Sequence, residues 1–232
     1  MPKLRHIALL GAALAALAPA ALAVGGWRIF GTVEFRSDSL KALPRWERAL
    51  IKINDERPQY AACDQHEKNC TSRGMVAWRA MLKSAKGRPP EEQLRIVNRF
   101  TNAWDYRTDD TVWMKDDFWA SPSEFLKFSG DCEDYSILKL VSLRELGFAD
   151  DDVRIVIVRD VLRNIPHAVL AVKMADKIFI MDSLFDAVLP QESVMQYAPQ
   201  YSINETSRWV HVAPLGLAAS KPFAIDKNGG GQ

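Results

Sequence analysis

The sequence is poor in net charge, in cysteine and in histidine. Its 232 residues carry 30 Lys and Arg against 29 Asp and Glu, a formal charge of +1. That balance leaves no electrostatic footprint for nucleic acid or for a strongly charged surface partner. There are no internal repeats, which sets aside solenoids and propellers. Apolar residues make up 48% and charged residues 25%, enough for one globular domain with a real core, in one or two lobes.

Lys3, Arg5 and His6 precede an apolar run from Ile7 to Leu22, and Ala21-Leu22-Ala23 is a small-x-small cleavage site. Residues 1–23 therefore read as a secretory signal, with a mature chain from Val24. The run is also just long enough to serve as an uncleaved anchor, but Pro19 and its alanine-rich end favour cleavage.

Export gives meaning to the three cysteines, Cys63, Cys70 and Cys132. Cys63 and Cys70 enclose a short polar loop and can pair in an oxidising compartment. A zinc site of Cys63, His66 and Cys70 would lack a fourth ligand nearby in sequence. Cys132 is the odd thiol. It opens a helix over 132–146 that stops at Gly147, with Ser129 or Asp131 as cap. Unpaired N–H groups and the helix dipole there favour thiolate over thiol. The plainer alternative is a buried structural cysteine.

Before that helix, an edge strand is expected within Trp27–Phe35. An amphipathic helix over 44–56 starts at Pro44 and is ended by Pro58; further helices cover about 74–84 and 91–104. Residues 105–129, rich in Asp and Trp, read as a long loop. After Gly147 the texture becomes β-branched, with strands at 153–158, 167–174, 177–182 and, more weakly, 208–212. The domain is expected over 24–219, with a disordered tail from Ser220. Helices first and strands second argue α+β.

Ala175-Asp176 forms the turn between two of these strands. Pairing across it puts Val169 opposite Asp182 and makes His167 the diagonal neighbour of Asp182 on one face. Cys132, His167 and Asp182 then offer a nucleophile, a base and a residue that orients the base, with the Cys132 N–H as one oxyanion donor.

The order of helix-borne Cys, strand His and strand Asp, with gaps of 35 and 15 residues, resembles the transglutaminase-like and papain-like cysteine hydrolases. Asp131-Cys132-Glu133-Asp134-Tyr135-Ser136, preceded by Trp119-Ala120-Ser121-Pro122, is similar to the bacterial transglutaminase-like cysteine proteinases of the LapG type. The likeness runs from about Trp46 to Trp209, with Ser136 where the family pattern has alanine. It implies a papain-like or transglutaminase-like core and a periplasmic, calcium-dependent endopeptidase. The implied substrate is the N-terminal region of a large surface adhesin, cut to release biofilm. The implied regulator is an inner-membrane cyclic-diguanylate receptor of the LapD type.

The acids beside Cys132 would raise its pKa by repulsion unless a cation cancels them. Asp131, Glu133 and Asp134, with a nearby aspartate such as Asp116 or Asp117, suit an oxygen-ligand calcium site. Alternatively, Glu133 and Asp134 merely favour the helix N-terminus. Three other functions remain open on the same residues: a cell-wall peptide hydrolase of the NlpC type, an acyltransferase, and an inert transglutaminase-like binding module. The NlpC pattern Asp-Cys-Ser-Gly departs from Cys132-Glu133-Asp134.

Overall fold

Apolar periodicity builds the helical half. The computed structural model describes residues 24–214, so the expected signal segment and tail lie outside the described residues. Helix α1 (Pro44–Gln65) buries Trp46, Ala49, Ile53, Tyr60 and Cys63 on one face. Proline at its first turn presets φ and loses no hydrogen bond. The expected stop at Pro58 does not occur, and the helix continues through it to Gln65. An interior proline costs about 3 kcal/mol. The turns beyond it offset that cost by burial: Tyr60 packs edge-on against Trp78 at 4.9 Å and donates to Glu56 at 2.7 Å.

Helix α2 (Arg73–Ala85) is capped by Ser72, which accepts from the Met75 N–H at 3.0 Å. Helix α3 (Pro90–Asn102) buries Leu94 and Val97. The segment expected as a loop holds two short helices, α4 (Asp109–Trp113) and α5 (Pro122–Phe128). Helices of 5 and 7 residues are too short to show a period in sequence.

Helix α6 (Cys132–Glu145) is buried without interruption from Asp134 to Leu143. A helix enclosed on all sides has no polar face to reveal it. Ile137, Leu138, Leu140, Val141 and Leu143 are each completely buried. Burial of such side chains is worth about 1.5–3 kcal/mol apiece. Gly147 follows with φ +100°, the left-handed conformation expected just past a helix end.

Among the described residues, eight strands form one sheet: β1 (Val24–Gly25), β2 (Val33–Ser37), β3 (Val153–Asp160), β4 (Ile165–Met174), β5 (Lys177–Met181), β6 (Leu189–Pro190), β7 (Tyr197–Ile203) and β8 (Arg208–Val212). Their order is β1-β2-β8-β7-β3-β4-β5-β6, and every pairing between neighbours is antiparallel. The N-terminal piece expected as an edge strand is instead a 3-10 turn, Ile29–Gly31, followed by β2 inside the sheet. Glu34 holds the turn by accepting the Ile29 N–H at 2.9 Å. Strand β7 escaped the sequence reading because it contains Pro199. That residue sits where the register with β3 shifts between Ile157 and Val158. A bulge is one of the few places an interior strand tolerates proline.

The fold is α+β, as expected. Ile155, Leu170, Val172, Met181 and Ile203 share one core with the helices. Val156, Val158, Val169, Ala171, Ile178 and Ile180 form a second core with Trp27, Ile29, Val194 and Tyr197. Among the described residues no helix is long and apolar enough to cross a membrane.

Cys63 and Cys70 are joined in a disulfide with Cα atoms 4.5 Å apart, tying the end of α1 to the start of α2. Both sulfurs are thereby withdrawn from any zinc site with His66. Loop-closure entropy for a bridge this short is worth roughly 2–3 kcal/mol. Cys63→Ser should lose about that much stability in urea unfolding, and reducing the wild type should produce the same loss.

Candidate active site

The position of Cys132 is set by close packing beneath the first turn of α6. A Cβ on Gly130 would lie 2.0 Å from Asp134 Oδ2 and 2.7 Å from Asp134 Cβ, so only glycine fits. Asp134 Oδ2 accepts the Asp131 N–H at 3.3 Å, and its Oδ1 accepts the Ala120 N–H at 2.6 Å. Ser129 takes φ 63° and ψ −167°, a region strained for any residue with a side chain.

The two sequence signatures lock together here. In Trp119-Ala120-Ser121-Pro122, Ala120 binds Asp134, Ser121 caps α5 and donates to Glu56 at 2.7 Å, and Pro122 opens the helix. Ser136, the departure from the family pattern, donates to the Cys132 carbonyl at 2.9 Å and leaves the helix intact.

His167 and Asp182 lie on the β4–β5 hairpin. Met174 pairs with Lys177 and Leu170 with Met181, which is the register read from the sequence. His167 Nε2 is 2.8 Å from Asp182 Oδ1, with both residues buried. Asp182 Oδ1 also accepts the Leu184 N–H at 3.0 Å, and Tyr197 donates its hydroxyl to Oδ2. Burial pushes the Asp182 carboxyl upward, but the hydrogen bond and charge of His167, with help from Tyr197, hold it below the usual range. An ionised Asp182 accepts a hydrogen bond from Nε2–H, leaving Nδ1 as the nitrogen able to act as base.

Helix α6 packs across β4, the strand that carries His167. Burial pushes the Cys132 thiol well up, and the Glu133 and Asp131 carboxylates push it further. Glu133 Oε2 is 3.3 Å from Sγ. The dipole of α6 alone does not overcome this.

Of the other histidines, His211 bonds Thr32 at 2.8 Å and Ser202 at 2.9 Å, and burial brings its pKa down to about 4. It is a core residue. His66 follows the last turn of α1 and is exposed.

Carboxylates from three segments crowd the same helix start. Asp109, Asp131 and Asp134 bring ligand atoms within 4.8 Å of one another, and so do Asp109, Asp117 and Glu133. Asp109 Oδ1, Asp117 Oδ1 and Asp131 Oδ1 are buried and accept no hydrogen bond among the described residues. Burial, then like charge, lifts Asp131 to about 9. Burial lifts Glu133 to about 7, with the charge of Asp134 adding to it. Burial lifts Asp109 to about 6, with Asp131, Asp117 and Asp110 adding to it. Three orphaned acceptors among mutually repelling carboxylates are the donor set of a hard divalent cation. Asp131 and Glu133 stand in this set as expected. Asp134, also expected there, spends both oxygens on backbone N–H groups while remaining in the cluster. Asp117 joins them and Asp116 does not. Asp109 was missed, because it lies 22 residues before Asp131 in a stretch read as solvated loop. Its one signal is an acid at the N-terminus of a short helix.

The chain matches the family model of bacterial transglutaminase-like cysteine proteinases over residues 57–215. A calcium-bound structure of Legionella pneumophila LapG is 33% identical with a TM-score of 0.55, covering 60% of this chain and 78% of that one. Another LapG structure from that organism is 30% identical with a TM-score of 0.58, covering 65% and 87%. An EGTA-treated form is also 30% identical with a TM-score of 0.58, covering 65% and 84%. No curated protein sequence matches the chain.

The carboxylate cluster predicts an unusual pH dependence without divalent cations. These groups bind protons more tightly folded than unfolded, so their stabilisation is complete below about pH 4. It is lost as pH rises through about 6 for Asp109, 7 for Glu133 and 9 for Asp131. Urea unfolding in chelator should show stability falling from about pH 4 to about pH 9, and Asp109→Asn should flatten the early part of that fall, up to about pH 6.

Proposed function

The chain belongs to the bacterial transglutaminase-like cysteine proteinases, and on that premise we propose that it is a calcium-dependent cysteine endopeptidase of the periplasm. The packing of α6, which Cys132 opens, across the His167-bearing strand, combined with the His167–Asp182 hydrogen bond, carries this reading. Nδ1 of His167 takes the thiol proton, and Cys132 Sγ attacks the peptide carbonyl. The Cys132 N–H, at the first turn of α6 and so without an intrahelical partner, donates to the oxyanion. The same imidazole returns the proton to the leaving amine, and a water then hydrolyses the thioester. Asp182 accepts the Nε2–H throughout and keeps the ring in one tautomer.

Asp109, Asp117, Asp131 and Glu133 would hold the calcium ion. Bound there, calcium supplies the positive charge that lets the acids ionise and lowers the thiol's pKa. The three orphaned carboxylate oxygens and the calcium-bound similar structure support this assignment. The cleavable segment before Val24 and the disulfide support export. The family resemblance supports a large surface adhesin as substrate, cut in its N-terminal region, and an inner-membrane cyclic-diguanylate receptor as the partner that withholds the protease.

Incubation of the mature protein with an adhesin N-terminal fragment tests the reading. Cleavage should occur with calcium, stop with chelator, and fall by roughly a thousandfold or more in Cys132→Ala. No cleavage under either condition would remove the proposal. Function retained in Cys132→Ala would identify a binding module instead.

A further inference from the structure

Between α1 and the carboxylate cluster runs a strip of backbone, residues 118–120. Its Phe118 N–H donates to Asp109 Oδ2, and its Ala120 N–H donates to Asp134 Oδ1 at 2.6 Å. Two acids of the cluster, one on α4 and one on α6, are thus held by the same short stretch. The Trp119 carbonyl turns the other way, in the alternation of extended chain, and accepts from Arg48 Nη1 at 3.0 Å.

Arg48 lies on α1, and its guanidinium does more than meet that carbonyl. It lies over the Phe118 ring, 4.1 Å from the centroid. It also forks onto Glu124, with Nη1 2.8 Å from Oε2 and Nη2 donating to Oε1. Glu124 in turn accepts the Ser121 N–H at 2.8 Å, just past the strip. One planar group therefore grips the strip by a ring, by a carbonyl and by the cap of α5 beyond it. An ammonium has no such fork. About two turns further along α1, Glu56 takes the Ser121 hydroxyl at 2.7 Å and holds the same stretch again. The Arg48 side chain is 39% exposed. An ion pair in that setting adds little stability of its own, so what the fork fixes is position.

We propose that Arg48 is a positioning residue for the cation site: it clamps the 118–120 strip to α1, and the two N–H groups of the strip then hold Asp109 and Asp134 beside Asp131 against mutual repulsion. Released from Arg48, the strip would let these acids draw apart, and a cation would have to reassemble its ligands on binding. Ligands placed in advance raise affinity. Loss of an outer partner of metal ligands ordinarily costs about 10–100-fold in metal affinity. The proposal rests on the calcium reading above and not on the endopeptidase reading.

Calorimetric calcium titration of the mature protein tests it, with Arg48→Met set beside Arg79→Met. Arg79 makes a comparable fork onto Asp64 and donates to Glu145 at 3.0 Å, near the last turns of α1 and α6 and away from the cluster. The calcium Kd should rise about tenfold in Arg48→Met and keep its wild-type value in Arg79→Met. Glu124→Gln, which keeps the cap and weakens the fork, should move Kd the same way by less, and serves if Arg48→Met does not fold. An unchanged Kd in Arg48→Met, or in Glu124→Gln where that variant stands in, would overturn the proposal and leave Arg48 as an ordinary surface ion pair. An equal rise in Arg79→Met would overturn it as well, as the mark of general loosening. Wild type that binds no calcium would remove the calcium reading and this proposal with it. Calcium bound tightly by wild type and weakly by Arg48→Met, in a protein that cleaves nothing, would sink the endopeptidase reading and leave this one standing.

Discussion

Mutual repulsion among buried carboxylates at the start of α6 is the constraint to which the rest of the structure answers. Asp109 lies 22 residues before the Asp131, Glu133 and Asp134 of one short segment, and all four have pKa values raised by burial and by one another. No fold collects such groups cheaply. Here the close approach is enforced by a glycine that admits no side chain, by a serine in a strained conformation, and by α4 and α5 packed around the junction. Asp134 is the keystone, binding backbone N–H groups of both signature segments. Strain and repulsion of this kind are typical of a site organised for a ligand rather than for stability.

The other half of the site follows different rules. The His167–Asp182 pair arises from a hairpin whose register is fixed by two apolar faces, since a slip of one residue would expose both cores. Tyr197 reaches the same carboxylate from β7, across β3 and β4. One half of the site is thus tense and cation-dependent, and the other is pre-formed by ordinary sheet packing. In the proposed mechanism the two meet where α6 packs across β4.

Much of this was legible in the residues themselves. The hairpin register followed from Ala175-Asp176 and strand alternation, and export showed that Cys63 and Cys70 could pair, which the structure bears out. The failures have physical causes. Pro58 is tolerated because Tyr60 and Cys63 are buried beyond it, a tertiary fact no local rule contains. β7 was hidden by Pro199, which only a bulge in a partner pairing makes acceptable. Asp109 looked like any loop aspartate, and only the pairing of Tyr106 and Arg107 with Gly130 makes it a neighbour of Asp131. Patterns along the chain report periodicity; they do not report which polar groups the fold brings together.

The reactivity of the lone thiol addresses the central claim most directly. With Cys63 and Cys70 bonded, Cys132 is the one free cysteine. Its alkylation rate by iodoacetamide at neutral pH therefore reports the thiolate fraction without any substrate. If a cation neutralises the acids around the sulfur, calcium should raise that rate by about tenfold or more over chelator, the factor that one pKa unit implies. Equal or slower alkylation in protein shown to have bound calcium would contradict the account.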